Sequence, residues 1–479
     1  MIIWVAFQPS PPLLAHLIDT VLVRYLGNTL MLMVGVGAFA CLFGISSAWV
    51  VSRYDFTGRN LLSWLLVLPA AMPAYLIAYV YTDFLEYAGP VQTGLRDLMG
   101  YQSSRDYWFF EIRSMQGAII LMSAVLYPYV YIMARTAFSQ TSRTLFEAAA
   151  ISGRDAFYHV GLPLARPAIV AGLALVMMEV LADFGTVDYF AIETLTLGIF
   201  NVWLGMNNMP AAAQLSLFAF LVILLILAIE LYARSRRSFQ NLSNAKRGVP
   251  RIPAPRNRLW LYYLICVAPL LLGFVIPVAI LLSFLGEGLT SHIKEVFLSL
   301  ISNNFQIAIL AAIASVSLSV VIGLISYFKF GRKSRLLALV ASTGYAFPGT
   351  ILAIGVLGFL GLVNQAASIV GLPYITGGIL ALLIGYMVRF HAVGYGAVQT
   401  GIGRVPKHIF EASLTLGKSF QQTIRLVVLP IMSPSIGAGL LLVFVDVMKE
   451  LPMTLLLSCL LYTSPSPRDY AASRMPSSA

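Results

Sequence analysis

The sequence predicts an all-α polytopic membrane protein built from two parallel repeats, and three observations lead to this class. The chain has 479 residues, of which 59% are hydrophobic and only 11% are charged, whereas soluble proteins carry about 25% charged residues. Apolar runs of about 20 residues, long enough to cross a bilayer as helices, recur along most of the chain. The same motif also appears twice. Because lipid offers the backbone no hydrogen-bond partners, continuous runs of this kind favour helices over barrel strands.

Ten membrane spans are predicted, with boundaries good to about 2–4 residues: 28–51, 61–87, 115–138, 167–190, 211–233, 259–285, 303–328, 336–362, 375–400 and 434–457. The alternate loops on one side of these spans hold 21 Lys and Arg residues, and the loops on the other side hold four. The basic side is therefore predicted to face the cytoplasm, with a lipid bilayer around the spans. Since the basic residues are spread over several loops, nucleic acid is not a predicted partner.

The repeated motif is FEAAAISG at 146–153 and FEASLTLG at 410–417, with Phe, Glu, Ala and Gly at the same offsets. Further matches flank the two copies: the Leu-Pro pairs Leu162-Pro163 and Leu429-Pro430, and the prolines Pro73 and Pro348 of the upstream segments LPAAMPAYLIA and TGYAFPGTILA. Both motifs fall on the predicted cytoplasmic side. The halves are therefore parallel, and we expect them to be related by an axis along the membrane normal, with a pathway between them.

The repeat also predicts the domain organisation. Residues 1–233 form a first half, 234–258 a basic linker rich in proline, 259–457 a second half and 458–479 a polar tail. The first half opens with only the stub of a helix, and the second half has no counterpart of the span 211–233. About 10 spans are thus expected in this chain and about 12 in an intact molecule clipped here at both ends. The Ser- and Pro-rich composition of the tail predicts a non-native segment.

A cytoplasmic loop with Glu-Ala, then Gly, then Leu-Pro between two spans resembles the EAA loop of ABC transporter permeases. The segments LADFGTVDYFAIETLTLGIFNVW (181–203) and DVMKELPMTLLL (446–457) are similar to fused two-half permeases of ferric-iron importers of the Fbp/Sfu type. The resemblance implies a type I importer bundle whose loops form coupling helices that dock on a separate ATPase. It assigns this docking to Glu147, Ala148, Ala149, Gly153, Leu162, Pro163, Glu411, Ala412, Gly417, Leu429 and Pro430.

The function implied by the resemblance is alternating-access transport across a bacterial inner (plasma) membrane, with Fe³⁺ delivered by a periplasmic binding protein and ATP used by two copies of a cytoplasmic ABC ATPase. We expect no cofactor on this chain and no enzymatic activity, because the sequence has no HExxH, GxSxG or CxxC, and GKS at 417–419 lacks the earlier glycine of a P-loop. Two alternatives stay open. The substrate can instead be thiamine, phosphonate or a polyamine, or the chain can be an ion-coupled secondary transporter, which would need no ATPase.

Charged residues in or near the spans are candidates for the transport pathway, because such groups usually face a bundle interior. They are Glu179, Asp183, Asp446, Lys449, Glu450 and Arg389. One interpretation is a lining of hard oxygen ligands for passing Fe³⁺. The other, which we favour, is a set of interhelical pairs or contacts that stabilise a gate, such as Lys449 with a neighbouring acid. No ligand spacing typical of a resident metal site is present.

The two motif copies differ in the distance to their proline. Ten residues separate Gly153 from Pro163, and thirteen separate Gly417 from Pro430. Three residues are nearly one helical turn, so the sequence leaves open whether the first loop docks as the second does.

Overall fold

A computed structural model describes residues 2–8, 13–235, 249–286, 291–327, 347–370, 379–403 and 405–463. Within these ranges, nine helices are long and apolar enough to cross a membrane, or up to ten when the bent pair Arg59–Ala71 and Ala74–Met99 counts as one span. The prediction of an all-α polytopic membrane protein with about ten spans is confirmed.

The chain forms two compact units. The first unit is Ser10–Leu289, and the second unit is Met1–Pro9 together with Thr290–Ala479. The helices of the first unit are α2 (Leu13–Leu17), α3 (Val23–Arg53), α4 (Arg59–Leu65), α5 (Ala74–Leu85), α6 (Pro90–Met99), α7 (Met115–Gln140), α8 (Arg143–Ile151), α9 (Leu162–Ala182), α10 (Gly185–Tyr189), α11 (Leu195–Phe200), α12 (Met209–Ser235), α13 (Leu259–Leu270) and α14 (Ile276–Gly286). The helices of the second unit are α1 (Ile2–Ala6), α15 (Ser291–Tyr327), α16 (Gly349–Val370), α17 (Ile379–Ile402), α18 (Lys407–Thr415), α19 (Phe420–Thr423), α20 (Leu429–Met448) and α21 (Pro452–Thr463).

The core of the first unit is formed by α3, α7 and α9, which pack against one another. Helix α7 lies at its centre, with Tyr127, Tyr131 and Phe138 fully buried. A two-residue parallel pairing of β1 (Tyr54–Asp55) with β2 (Ile252–Pro253) connects the loop after α3 to the end of the linker.

The core of the second unit repeats this arrangement with α15, α17 and α20, which also pack against one another. Helix α16 carries α1 on one face, where a Cβ added at Gly358 would lie 2.9 Å from the side chain of Val5. Helix α21 packs on α16 and α17. The same three-helix core, built from matched segments in each unit, confirms the prediction of two repeats.

Each unit holds the opening helix of the other sequence half. Helices α13 and α14 open the second half in sequence but pack on α3, α5 and α7 of the first unit. Helix α1 opens the first half but packs within the second unit. The predicted halves, 1–233 and 259–457, describe the order of the repeats and stay a prediction. Of the predicted tail, α21 includes residues up to Thr463, and 464–479 lie outside the described residues.

Several predicted spans differ from the helices. The span 61–87 is bent by 92° just before Pro73, because proline cannot donate the backbone bond that a straight helix needs. The spans 167–190 and 434–457 start too late and end too late: α9 and α20 already begin at their Leu-Pro pairs and stop at Ala182 and Met448. Proline is tolerated in a first helical turn, where no donor is needed. The predicted span 336–362 falls partly outside the described residues, and α16 begins at Gly349.

Candidate functional site

The first coupling loop, residues 143–161, consists of α8, a glycine turn and a π-helical turn that runs into α9. Phe146 on α8 is 1% exposed, and its ring centroid lies 6.4 Å from that of Trp49 on α3. Trp49 also contacts Phe138 at 5.3 Å and Phe157 at 5.0 Å between ring centroids. This aromatic cluster holds α8 against the core, because each ring buries a large apolar area.

The turn after α8 depends on a glycine. Gly153 has φ +67°, a left-handed conformation in which only glycine avoids a Cβ penalty. The N–H of Gly153 donates to the carbonyl of Ala150 and the N–H of Arg154 donates to that of Ala149, which satisfies the last carbonyls of the helix. The Asp155 carboxylate then accepts from the N–H of Phe157 at 2.8 Å and starts the next turn.

The second coupling loop, residues 407–428, follows the same path with other contacts. Gly417 has φ +82° and closes α18 as Gly153 closes α8. Ser419 then caps α19 in a reciprocal pair with Gln422, and the hydroxyls of Ser413 and Thr423 lie 2.9 Å apart. A π-helical turn, Ile424–Val428, runs into α20.

The three-residue difference between the loops is confined to one place. Both loops contain a coupling helix, a left-handed glycine and a five-residue π-helical turn directly before the Leu-Pro pair. Only the second contains the four-residue helix α19 between the glycine and the π-helical turn. The first loop therefore presents the same kind of coupling helix by a shorter connection.

The structure exposes most of the predicted docking residues. Glu147, Ala148, Gly153, Glu411, Ala412 and Gly417 are all exposed. Ala149, by contrast, is only 7% exposed, because it faces the core beside Phe146. Leu162, Pro163 and Leu429 are half-buried at the helix starts, and Pro430 is exposed.

Exposed apolar residues beside the motif were missed from the sequence. Ile151 is 88% exposed on the first coupling loop and Leu416 is 82% exposed on the second. Leu145 and Ile409, each directly before the motif Phe, are also exposed. The apolar residue directly before the motif Phe in both copies was the available signal, whereas Ile151 and Leu416 stand at different offsets. Exposed aliphatic side chains around a polar centre are typical of a protein interface.

The predicted pathway residues gather where α9 and α20 end. In the first unit, the Asp183 carboxylate caps α10: it accepts from the N–H and the hydroxyl of Thr186, both at 3.0 Å, and from the N–H of Val187 at 3.2 Å. Glu179 lies one turn earlier on α9 and is half-buried.

The second unit combines these acids with cations. Lys449 Nζ lies 2.9 Å from Asp446 Oδ1, and Arg389 Nη2 on α17 lies 3.1 Å from Glu450 Oε2. In the part of the chain that the structure describes, no group of three His, Cys, Asp or Glu side chains is arranged to hold a metal ion. The geometry of this second set is that of ion pairs, and the role of the six residues in a pathway stays a prediction.

Comparison with protein families gives one match that covers most of the chain. The family described as "Binding-protein-dependent transport system inner membrane component" matches residues 40–238 and 319–458. Each matched stretch contains one coupling loop and the three core helices around it, at least in part. The matched stretches thus correspond to the two three-helix cores.

Curated relatives extend the similarity to both halves together. An Fe(3+)-transport system permease of Haemophilus influenzae is 24% identical over 90% of this chain and 81% of its own length. A ferric transport system permease of Actinobacillus pleuropneumoniae is 25% identical over 89% of this chain, which spans 63% of that relative's length, less than two thirds. A molybdenum transport system permease of Escherichia coli is 29% identical, but over only 32% of this chain.

Proposed function

This chain belongs to the binding-protein-dependent transport system inner membrane component family, and we propose that, as the permease subunit of an ABC importer, it carries Fe³⁺ across the inner membrane. The relatives that match about nine tenths of the chain are ferric permeases, whereas the molybdenum and sulfate permeases match about a third of it. The observation that carries the proposal is the paired display of Glu147-Ala148 and Glu411-Ala412 on exposed helices of two like units.

The two coupling helices suit a partner with two equivalent sites. Membership of the family implies an ABC ATPase and a periplasmic binding protein as partners. We propose two copies of the ATPase, one for each loop, since the loops present the same motif on separate units. ATP is bound and hydrolysed by that partner, and this chain needs no cofactor of its own. Closure of the ATPase pair would move both loops and change which side of the pathway is open.

Each loop can transmit a movement of the ATPase to the helix that follows the loop. The coupling helix is held to the core by Phe146 in the first unit and by Phe410, which packs against the buried cluster that contains Val428 and Met432, in the second. The π-helical turn passes without a break into α9 or α20, so force on the loop reaches the far end of that helix. Both helices end beside the acidic residues Asp183 and Glu450. Motion at the ATPase face therefore reaches the candidate pathway residues through one continuous element.

The experiment is uptake of radiolabelled Fe³⁺ into liposomes that contain the chain with its ATPase, with the loaded binding protein outside. We expect ATP-dependent uptake, and we expect the double variant Glu147→Ala/Glu411→Ala to lose it. The matched control is Glu193→Ala, because Glu193 is also an exposed carboxylate paired with an arginine, Arg24, but lies outside both loops.

Molybdate and sulfate are the competing substrates to offer in the same liposomes. Uptake of either oxyanion without uptake of Fe³⁺ would overturn the substrate and leave the permease assignment standing. Uptake driven by an ion gradient with no ATPase present would overturn the proposed mechanism and favour the secondary transporter.

A further inference from the structure

A buried charge cluster joins three helices of the second unit. Arg389 on α17 and Glu450 after α20 are each 6% exposed and lie 3.1 Å apart between Nη2 and Oε2. The other carboxylate oxygen, Oε1, accepts from the N–H of Met453 at 3.1 Å, in the first turn of α21. The Glu450 carboxylate thus binds Arg389 on α17 and accepts a hydrogen bond from the first turn of α21. A second contact between α17 and α21 lies close by, where the hydroxyls of Tyr386 and Thr454 are 2.6 Å apart.

The third helix contributes a glycine. Gly349 is the first residue of α16, and a Cβ added there would lie 2.4 Å from Glu450 Oε1 and 2.5 Å from Arg389 Nη1. Both approaches are far shorter than van der Waals contact, and both side chains are buried and held by each other. An alanine at this position would therefore force one or both side chains to shift.

The matched positions of the first unit carry a different set. Val125 lies as far before Phe146 as Arg389 lies before Phe410, and Asp183 lies as far after Leu162 as Glu450 lies after Leu429. Ala74 follows Pro73 as Gly349 follows Pro348, and each starts a helix. Where the second unit has Arg389 and Gly349, the first unit thus has Val125 and Ala74. The contacts in the second unit explain this difference, because a Cβ at position 349 would meet both Glu450 and Arg389.

The position of the pair suggests what it does. Helix α17 leads into the second coupling loop, and α20 leads out of it. The Arg389–Glu450 pair connects the middle of α17 to the residue two positions beyond the end of α20 that is distant from the loop. The path from α17 through the loop and α20 back to α17 is therefore closed by a buried charge contact.

We propose that Arg389 and Glu450 are positioning residues that close α17, the second coupling loop and α20 into one rigid lever, and that this tie makes the two units mechanically unequal. The first unit has no cation at the position matched to Arg389, and its Asp183 caps α10 locally. A displacement of the second loop then moves α21 with it, whereas the first unit transmits motion without this tie. The proposal rests on the permease function proposed above.

The test uses the full chain with its ATPase in liposomes and measures Fe³⁺ uptake and ATP hydrolysis together. In Arg389→Val/Glu450→Gln both charges are removed, so neither is left buried alone. We expect uptake to fall by about tenfold, within the usual range of coupling between sites, while the ATPase stays bound and its hydrolysis stays at the wild-type level. The exposed pair Arg24→Gln/Glu193→Gln is the control and is expected to leave both rates unchanged.

A covalent tie provides the rescue. A Cβ at position 385 on α17 would lie 3.6 Å from Cγ of Met453 on α21, so the side chains of Gly385→Cys/Met453→Cys would stand beside each other for oxidation to a disulfide, while Leu457 Cδ1, 2.9 Å from that Cβ, would have to shift. This pair is added to the double variant after the native Cys41, Cys266 and Cys459 are changed to serine. We expect oxidation to restore uptake and reduction to abolish it again.

If the ion pair served folding alone, oxidation and reduction of the disulfide would not switch Fe³⁺ uptake on and off. Uptake at the wild-type level without the charges would overturn the proposal. Loss of ATPase binding in the double variant, or no recovery after oxidation, would also overturn it, since the pair would then serve assembly. A wild-type complex that takes up no Fe³⁺ refutes the proposed substrate instead, and the comparison is then made with the substrate that it does carry.

Discussion

The two coupling loops follow one path but are stabilised by different contacts. In the first, Trp49 forms an aromatic cluster with Phe138, Phe146 and Phe157. In the second, the supporting contacts are an aliphatic cluster around Val428 and Met432 and the Ser419–Gln422 cap. The features that the two loops share are therefore the left-handed glycine and the exposed Glu-Ala face. The packing beneath is free to vary as long as it holds the coupling helix in place.

The largest expected effect is the removal of the first loop's aromatic anchor. Phe146→Ala should lower the free energy of unfolding by about 3–5 kcal/mol, because it leaves a cavity in a buried aromatic cluster. The matched change Phe410→Ala should cost less, since Phe410 is only half-buried and its neighbour Phe420 is 42% exposed. Thermal denaturation of the two purified variants measures the difference. Equal losses of unfolding free energy in the two variants would show that Phe146 and Phe410 contribute equally to holding their loops.

A smaller effect, equal in both loops, is expected at the glycines. Gly153→Ala and Gly417→Ala each place a Cβ in a left-handed conformation, at about 1–2 kcal/mol. Neither Cβ would meet a neighbouring atom within 4 Å, so backbone strain is the whole cost. The two unfolding temperatures should therefore fall by the same amount. A clear inequality would mean that the turns are not equivalent.

The smallest effect is expected at the exposed ion pair of the first coupling helix. Arg143 Nε lies 2.9 Å from Glu147 Oε1, one turn apart on α8. Arg143→Gln should cost no more than about 0.5 kcal/mol, as is usual for exposed pairs of this spacing. A loss several times larger in thermal denaturation would show that the pair, rather than Phe146, holds this helix.

The sequence predicted the framework well because the apolar runs and the motif report directly on burial and on the turns. The helix Met115–Gln140 was predicted as 115–138, and the paired motifs located both coupling helices. The breaks after Ala182 and Met448 were missed. The apolar composition continues past them, and only the acid followed by a new helix start, at Asp183 and Glu450, indicates the interruption.

Contacts between distant residues explain the rest of what was missed. Nothing in the sequence places Ala149 inward and Ala148 outward, because both alanines satisfy the motif equally and only the docked helix distinguishes its faces. The tie between Arg389 and Glu450 spans 61 residues of sequence and needs the glycine of a third helix. Such a cluster follows from the packing of α16, α17 and α21, which hydropathy does not specify.

The two faces of the coupling helices also provide the most direct test of the central claim, that both loops dock on an ATPase. Single cysteines are placed at Ala148 and Ala412, which are exposed, and at the neighbouring Ala149 and Ser413, which are each 7% exposed. All four variants lack the native cysteines and are treated with a short cross-linker in the presence of the ATPase. We expect cysteines at 148 and 412 to cross-link to the ATPase and those at 149 and 413 to remain unlinked. Cross-linking at only one loop, or at neither, would contradict the account.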